Sequence, residues 1–217
     1  MDVVGADGQL RRASASENPD LFWALRGGGG NFGIVTSFDY RLHPVGPTIL
    51  GGALAWRGED AKRVLTAFRD ISARAPRDLT CVAIVRNAPP APWLPKEVHG
   101  KPIVAVFVVH AAANPDDAPI QALRAIAPPI ADTVTRRPYV QMQSLLDATQ
   151  PRGRRYYWKS HYLAGLDDGL IDGVAARADR IPSPHSGIIL FQVGGALNEL
   201  PDDHSPAGNR DASYVLN

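Results

Sequence analysis

Four consecutive glycines, Gly27 to Gly30, are followed by Asn31-Phe32-Gly33 and an apolar run. No other segment restricts the fold as much. Asn18 is a good helix N-cap, Pro19 suits the first helical position, and Gly27 ends the helix after Arg26. Residues 34–42 then read as a strand that stops at His43-Pro44. Residues 28–33 match G-x-G-x-x-G by letter. The dinucleotide reading of that pattern needs a strand before the glycines and a helix after them, so that a helix N-terminus meets the pyrophosphate. Here the order is reversed, and the helix end nearest the loop is the C-terminus, which repels anions. No Gly-Lys-Ser/Thr follows, so a P-loop also fails. Two readings remain. Backbone free of side chains can take φ > 0 and let a flat or phosphorylated ligand approach its N–H groups. Alternatively, the glycines serve only a tight helix-to-strand crossing, although four in a row exceed what one C-cap needs.

Composition removes several classes. Lys plus Arg is 23 and Asp plus Glu is 22, giving a net charge of +1, so nothing here is built to neutralise nucleic-acid phosphates. Arg outnumbers Lys 19 to 4, a bias of GC-rich coding sequence that points to a bacterial source. Cys81 is the single cysteine, which excludes an internal disulfide framework and any multi-cysteine metal site. The histidines (His43, His99, His110, His161, His185 and His204) show neither H-x-x-x-H nor H-E-x-x-H spacing, so no metal site is expected. No apolar run approaches the roughly 18 residues of a membrane helix, and no membrane partner is expected. The chain opens on a strand, a turn at Ala6-Asp7-Gly8 and a second strand, without a basic stretch leading into an apolar one. Location defaults to the cytoplasm, an N-terminal extension being the place for an export signal.

Val45-Gly46-Pro47 reads as a boundary between a first block, residues 1–45, and a second, residues 46–217. In the second block, residues 49–56, 79–86 and 102–110 suit strands, the last nearly all apolar and β-branched. Residues 59–75 are helical, with Val64, Leu65, Phe68 and Ile71 on one face. Residues 88–95 carry four prolines and form a loop. Asn114-Pro115-Asp116 opens a helix reaching about residue 127. Residues 133–137, 155–163 and 186–200 read as strands, residues 140–148 and 167–181 as helices, and a last strand begins at Tyr214. Helices do not alternate strictly with strands. The pattern fits an α+β fold, with an antiparallel sheet carrying helices on one face, better than a doubly wound parallel sheet.

Residues 17–46, ENPDLFWALRGGGGNFGIVTSFDYRLHPVG, strongly resemble the signature of FAD-linked oxidases of the berberine bridge enzyme-like group, within the vanillyl-alcohol oxidase/PCMH flavoprotein superfamily. The preceding VVGADGQLRRASA resembles the same family's hairpin. The resemblance implies that residues 1–45 are the C-terminal piece of a PCMH-type FAD-binding domain. It implies that Gly29, Gly30, Asn31, Gly33 and Ile34 lie along FAD, with the Gly33-Ile34 backbone near the adenosine half. The second block then resembles the family's substrate domain, incomplete at its C-terminus. Oxidases of this group pass a hydride from an alcohol, sugar or amine-bearing carbon to flavin, and dioxygen reoxidises it. The implied partner is a small-molecule substrate.

Strand alternation sorts the substrate candidates. Tyr156, Trp158, Ser160 and Tyr162 share one face of residues 155–163, and the resemblance favours Trp158 and Tyr162 as cavity-lining aromatics. The other reading is an aromatic stripe packed under helices. On residues 186–200, Gln192, Ala196 and Asn198 share a parity unless Gly194-Gly195 form a bulge. Asn198 falls where relatives often carry Glu or Gln. An amide can orient a hydroxyl but cannot act as a base.

The catalytic residue is unassigned. The resemblance implies that the pyrophosphate loop, the residue bonded covalently to flavin and the tyrosine of a returning C-terminal segment lie outside these 217 residues. The chain therefore reads as truncated at both ends, inactive alone and holding FAD weakly or not at all. The competing readings are a stand-alone α+β binding module without redox chemistry, and a truncated product that barely folds.

Overall fold

A computed structural model describes residues 1–147 and 151–217. The chain divides into two compact units. One is Met1–Pro44 with Gly195–Asp211, and the other is Val45–Gly194 with Ala212–Asn217. Among the described residues no helix is long and apolar enough to cross a membrane.

The first unit contains a three-stranded antiparallel sheet. Its strands are β1 (Asp2–Val4), β2 (Leu10–Arg12) and β3 (Ile34–Ser37), in the order β2-β1-β3. The turn between β1 and β2 needs the positive φ of Gly8, at 75°, and closes with Gly8 N–H donating to Gly5 O at 3.0 Å. Helix α1 (Pro19–Leu25) precedes the glycine run. Asn18 occupies the N-cap position, as expected, but does not cap through its side chain. It sits at φ 48°, makes no side-chain cap bond, and instead donates from Nδ2 to Arg12 O at 2.7 Å. Asn tolerates the left-handed region, so here it turns the chain rather than capping the helix.

The second unit is an eight-stranded sheet. Its elements run β4 (Thr48–Arg57), α2 (Ala61–Ser72), β5 (Leu79–Asn87), β6 (Pro102–His110), α3 (Ala118–Arg124), β7 (Ala131–Asp132), β8 (Thr135–Pro138), α4 (Tyr139–Gln143), β9 (His161–Leu163), α5 (Asp168–Ala175), β10 (Gly187–Gln192) and β11 (Tyr214–Leu216). The order is β7-β4-β6-β5-β10-β11-β9, with β8 also on β4, and every pairing is antiparallel.

Alternation along the strands decides which side chains meet the helices. Leu54 and Trp56, Cys81, Ala83 and Val85, Val104, Val106 and Val108, and Leu190 and Tyr214 form one buried cluster. Val64, Leu65 and Phe68 of α2, Ile120 and Leu123 of α3, and Ile171 and Val174 of α5 complete it. The i, i+1, i+4 spacing of Val64, Leu65 and Phe68 is what turns α2 toward the sheet. Burying Phe68 contributes about 2–3 kcal/mol. Trp56 is fully buried, and its Nε1–H donates to Ala127 O at 2.9 Å. Without that acceptor its burial would carry an unsatisfied donor. Cys81 is a packing residue, and burial pushes its thiol up to about 12, far from a reactive thiolate. The sheet is thus covered by helices on one face, in an α+β fold.

The structure corrects several expected elements. Helix α3 starts after Asp117, because Pro115 is followed by a turn in which Ala118 N–H donates to Asp116 Oδ1 at 2.9 Å. The strand expected over 155–163 is ordered as a strand only at β9, where β11 is beside it to pair with. The strand expected over 186–200 ends at Gln192. Gly195 takes φ 59°, and Ala196–Glu199 form a helical turn. Of the helix expected over 140–148, α4 covers the start, and Ala148 lies outside the described residues. Asp167, as its position at a helix start suggests, caps α5 by accepting from Leu170 N–H at 2.7 Å.

Candidate functional site

In the first unit, the glycines separate into those the fold requires and those it does not. A Cβ on Gly27 would lie 2.6 Å from Ala207 N, and one on Gly28 would lie 2.5 Å from Ala24 O. Gly33 has φ 132°, and a Cβ there would meet Val4 O at 2.4 Å. These three are demanded by packing. Gly29 has φ 73°, a conformation that favours glycine, but a Cβ there would meet nothing. At Gly30 no positive φ and no neighbour within 4 Å demands glycine. The loop Gly29–Phe32 therefore shows its backbone to open space, and crossing geometry leaves Gly30 unexplained.

Asn31 is exposed, and its Nδ2 donates to Gly28 O at 3.2 Å, which holds the loop in shape. Ile34 is 73% exposed beside it at the start of β3. Phe32 and Leu10 also expose apolar area. Gly29, Gly30, Asn31, Gly33 and Ile34 thus lie on one continuous stretch, with accessible backbone followed by an apolar side chain.

In the second unit, the face of the sheet away from the helices carries a row of directly paired residues. Tyr162 pairs with Val215, Val215 with Phe191, Phe191 with Val82, Val82 with Phe107, and Phe107 with Ala53. Directly paired residues point to the same side, so this row crosses six strands on one face. Its members Phe191, Val82, Phe107 and Val215 remain partly exposed, and Tyr162 is 48% exposed. At one end Trp93 meets Phe107 edge-on at 6.4 Å, where the proline-rich loop folds over Ala55, Ile103 and Ala105. The rest of the face lies open, with aromatic rings able to stack on a flat ligand or a sugar.

Tyr162 lies on this face, and Trp158 is half-exposed in the irregular segment before β9. Gln192 lies on the opposite face, paired with Tyr214. Its Oε1 accepts from Cys81 N–H at 2.9 Å and its Nε2 donates to Ser72 O at 3.1 Å. Asn198 belongs to the first unit, where its Nδ2 donates to Arg210 O at 2.7 Å. The structure does not bring Tyr162, Gln192 and Asn198 onto one surface of the sheet. The parity argument linking Gln192 to Asn198 fails because the strand ends between them. Phe107 and Phe191 were missed by sequence reasoning. The phase of β6 against its neighbours would have pointed to Phe107, but a run that is apolar at every position hides it. Among the described residues no group of His, Cys, Asp and Glu could hold a metal ion.

No protein-family model matches the chain. Individual proteins do match. An FAD-linked oxidoreductase of Dictyostelium discoideum is 24% identical over 99% of this chain and 45% of its own length. The (R)-6-hydroxynicotine oxidase of Paenarthrobacter nicotinovorans is 25% identical over 99% of this chain and 46% of its own. The structure of BBE-like 1 from Physcomitrella patens superposes with a TM-score of 0.76 at 18% identity, covering 99% of this chain and 48% of that one. The chain spans about half the length of the curated relatives it matches. The signature around the glycine run and matches of this extent agree: across its length the chain is similar to FAD-linked oxidoreductases, and its fold is that of the berberine bridge enzyme-like flavoproteins.

Proposed function

We propose that the chain is the part of an FAD-dependent oxidase that supplies one stretch of the cofactor site and the aromatic face of the substrate site. When bound, FAD would accept a hydride from a substrate carbon bearing oxygen or nitrogen, with dioxygen as the final electron acceptor. The observation that carries the cofactor half of this reading is Gly30, a glycine that the fold does not need, in a loop whose backbone faces open space. A larger side chain there would cover the N–H groups a ligand could use. The residues fit a flavin nucleotide in part. Gly29, Gly30 and Asn31 offer accessible backbone, and Ile34 offers an apolar surface for a ring.

The roles follow from chemistry. Gly29 and Gly30 let FAD approach closely, Asn31 holds the loop, Gly33 makes the close crossing with Val4 that sets Ile34 beside the loop, and Ile34 packs against the cofactor. Tyr162, with Trp158, Phe191 and Phe107, orients a flat or glycosyl substrate and excludes water from it. Gln192 and Asn198 spend their amides on backbone groups and act on the site only through the elements they hold. No described side chain is assigned as the base.

Flavin titration of the purified chain, followed by fluorescence, tests this reading. Expected is weak, saturable FAD binding without turnover, weakened about tenfold by Gly30→Leu, a change of about 1.4 kcal/mol. The melting temperature should stay unchanged in that variant. Equal affinity in Gly30→Leu would remove the loop from the cofactor site. Stoichiometric, tight flavin in the purified chain would overturn the view that the site is shared with other segments.

A further inference from the structure

The first unit holds one buried and one half-buried arginine without a counter-charge. Arg210 is only 5% exposed, and Arg26 is half-buried at the end of α1. Among the described residues neither has a carboxylate within ion-pair distance. Arg26 donates to His204 Nε2 and to His204 O, both at 2.9 Å, and stacks over the Phe22 ring at 4.6 Å. Arg210 donates to Leu197 O at 3.1 Å and to Ser205 Oγ at 2.7 Å. Each guanidinium carries five N–H donors, so most remain unused. The Nε of both is buried with no hydrogen-bond partner.

Both side chains line one open groove of about 360 Å³, together with His204, Ser205, Leu197 and Leu200. Arginine cannot shed its charge by deprotonation, and burying it unpaired is strongly unfavourable. Arg26 can only donate, so in this contact His204 Nε2 is the acceptor and leaves the Arg26 charge without an anionic partner. The negative end of α1 offsets part of the Arg26 charge only.

We propose that this groove binds a small oxyanion, a phosphate or a carboxylate, held by Arg26 and Arg210 with the Ser205 hydroxyl beside them. A planar guanidinium fork matches both anion types, and the apolar wall at Leu197 and Leu200 accommodates a carbon skeleton attached to the anion. The groove lies within the first unit, and the proposal stands whether or not the flavin reading holds.

Thermal unfolding and calorimetric titration of the full chain test it, with inorganic phosphate and citrate as probes and sodium chloride holding ionic strength constant. A saturable rise in melting temperature is expected with one or both probes. Phosphate acting alone would assign a phosphate ligand, and citrate alone a carboxylate. Arg26→Gln should lose at least about tenfold in affinity, as removing one charged donor pair implies. Arg210 also holds Leu197 and Ser205, so Arg210→Lys is the safer second variant, and it too should bind more weakly. Arg180→Gln, an exposed arginine outside the groove, should bind like the wild type. An equal response to chloride alone, or full binding in Arg26→Gln, would overturn the proposal.

Discussion

The Tyr214 hydroxyl meets the Ser72 hydroxyl at 2.7 Å inside the core. It joins the penultimate strand of the sheet order to the end of α2, and the Tyr214 ring lies against Phe68 at 5.9 Å between centroids. Ser72 keeps Arg69 O as a second partner at 3.2 Å, so the pair is not the sole support of either group. Tyr214→Phe should therefore cost about 1 kcal/mol, and Tyr214→Ala about 3–5 kcal/mol through the cavity it leaves. Urea unfolding of both variants measures the difference. Equal costs would mean that the ring contributes no packing.

His110 is 2% exposed at the end of β6, and neither ring nitrogen has a hydrogen-bond partner. Desolvation lowers its pKa below the usual 6.5, against the smaller opposing pull of Asp78, Asp116 and Asp117. The folded protein thus keeps His110 neutral where the unfolded chain would protonate it. Stability is complete above pH 6.5 and is lost as pH falls below 6.5 toward the folded value. His110→Leu should flatten this part of the stability-versus-pH curve. A wild-type curve flat between neutral pH and pH 5, or one unchanged by the substitution, would contradict the assignment.

Gly33 and Gly30 should respond oppositely to alanine. At Gly33 the added Cβ meets Val4 O at 2.4 Å in a left-handed conformation, a loss of about 2 kcal/mol or more. At Gly30 it meets nothing, and stability should hold within about 0.5 kcal/mol. Paired melting curves decide this.

Gln192 and Tyr162 should separate stability from ligand binding. Gln192→Ala leaves Cys81 N–H and Ser72 O without their side-chain partner and should cost about 1–3 kcal/mol. Tyr162→Ala removes a ring that is 48% exposed and should cost less than about 1 kcal/mol. In an enzyme that contains this chain, the Tyr162 substitution should raise KM, while the Gln192 substitution should change the unfolding midpoint first. The reverse pattern would exchange the two faces of the sheet.

Strong local patterns carried far. The spacing of Val64, Leu65 and Phe68 predicts α2 and its buried face, and the structure keeps both. Residues 79–86 and 102–110 become β5 and β6 almost as their composition indicates. Failures gather where the chain has few such constraints. Residues 155–163 alternate well, yet only His161–Leu163 find a partner strand, since a strand needs a neighbour and not only a pattern. The glycines after Gln192 made the continuation ambiguous, and the backbone chose a helical turn.

Residue types and their order alone were enough for the α+β class, for the core face of α2, for the absence of metal-ligand spacing and for the glycine signature of a flavin-linked family. These rest on local propensity and side-chain periodicity, which a linear chain already contains. Which glycine the packing requires, which face Gln192 takes, the aromatic row from Tyr162 to Phe107 and the approach of Arg26 to the Arg210 groove were decided by tertiary structure. Each depends on register or on contacts between residues up to about 180 positions apart, and loop closure and strand pairing settle these only when the whole fold forms.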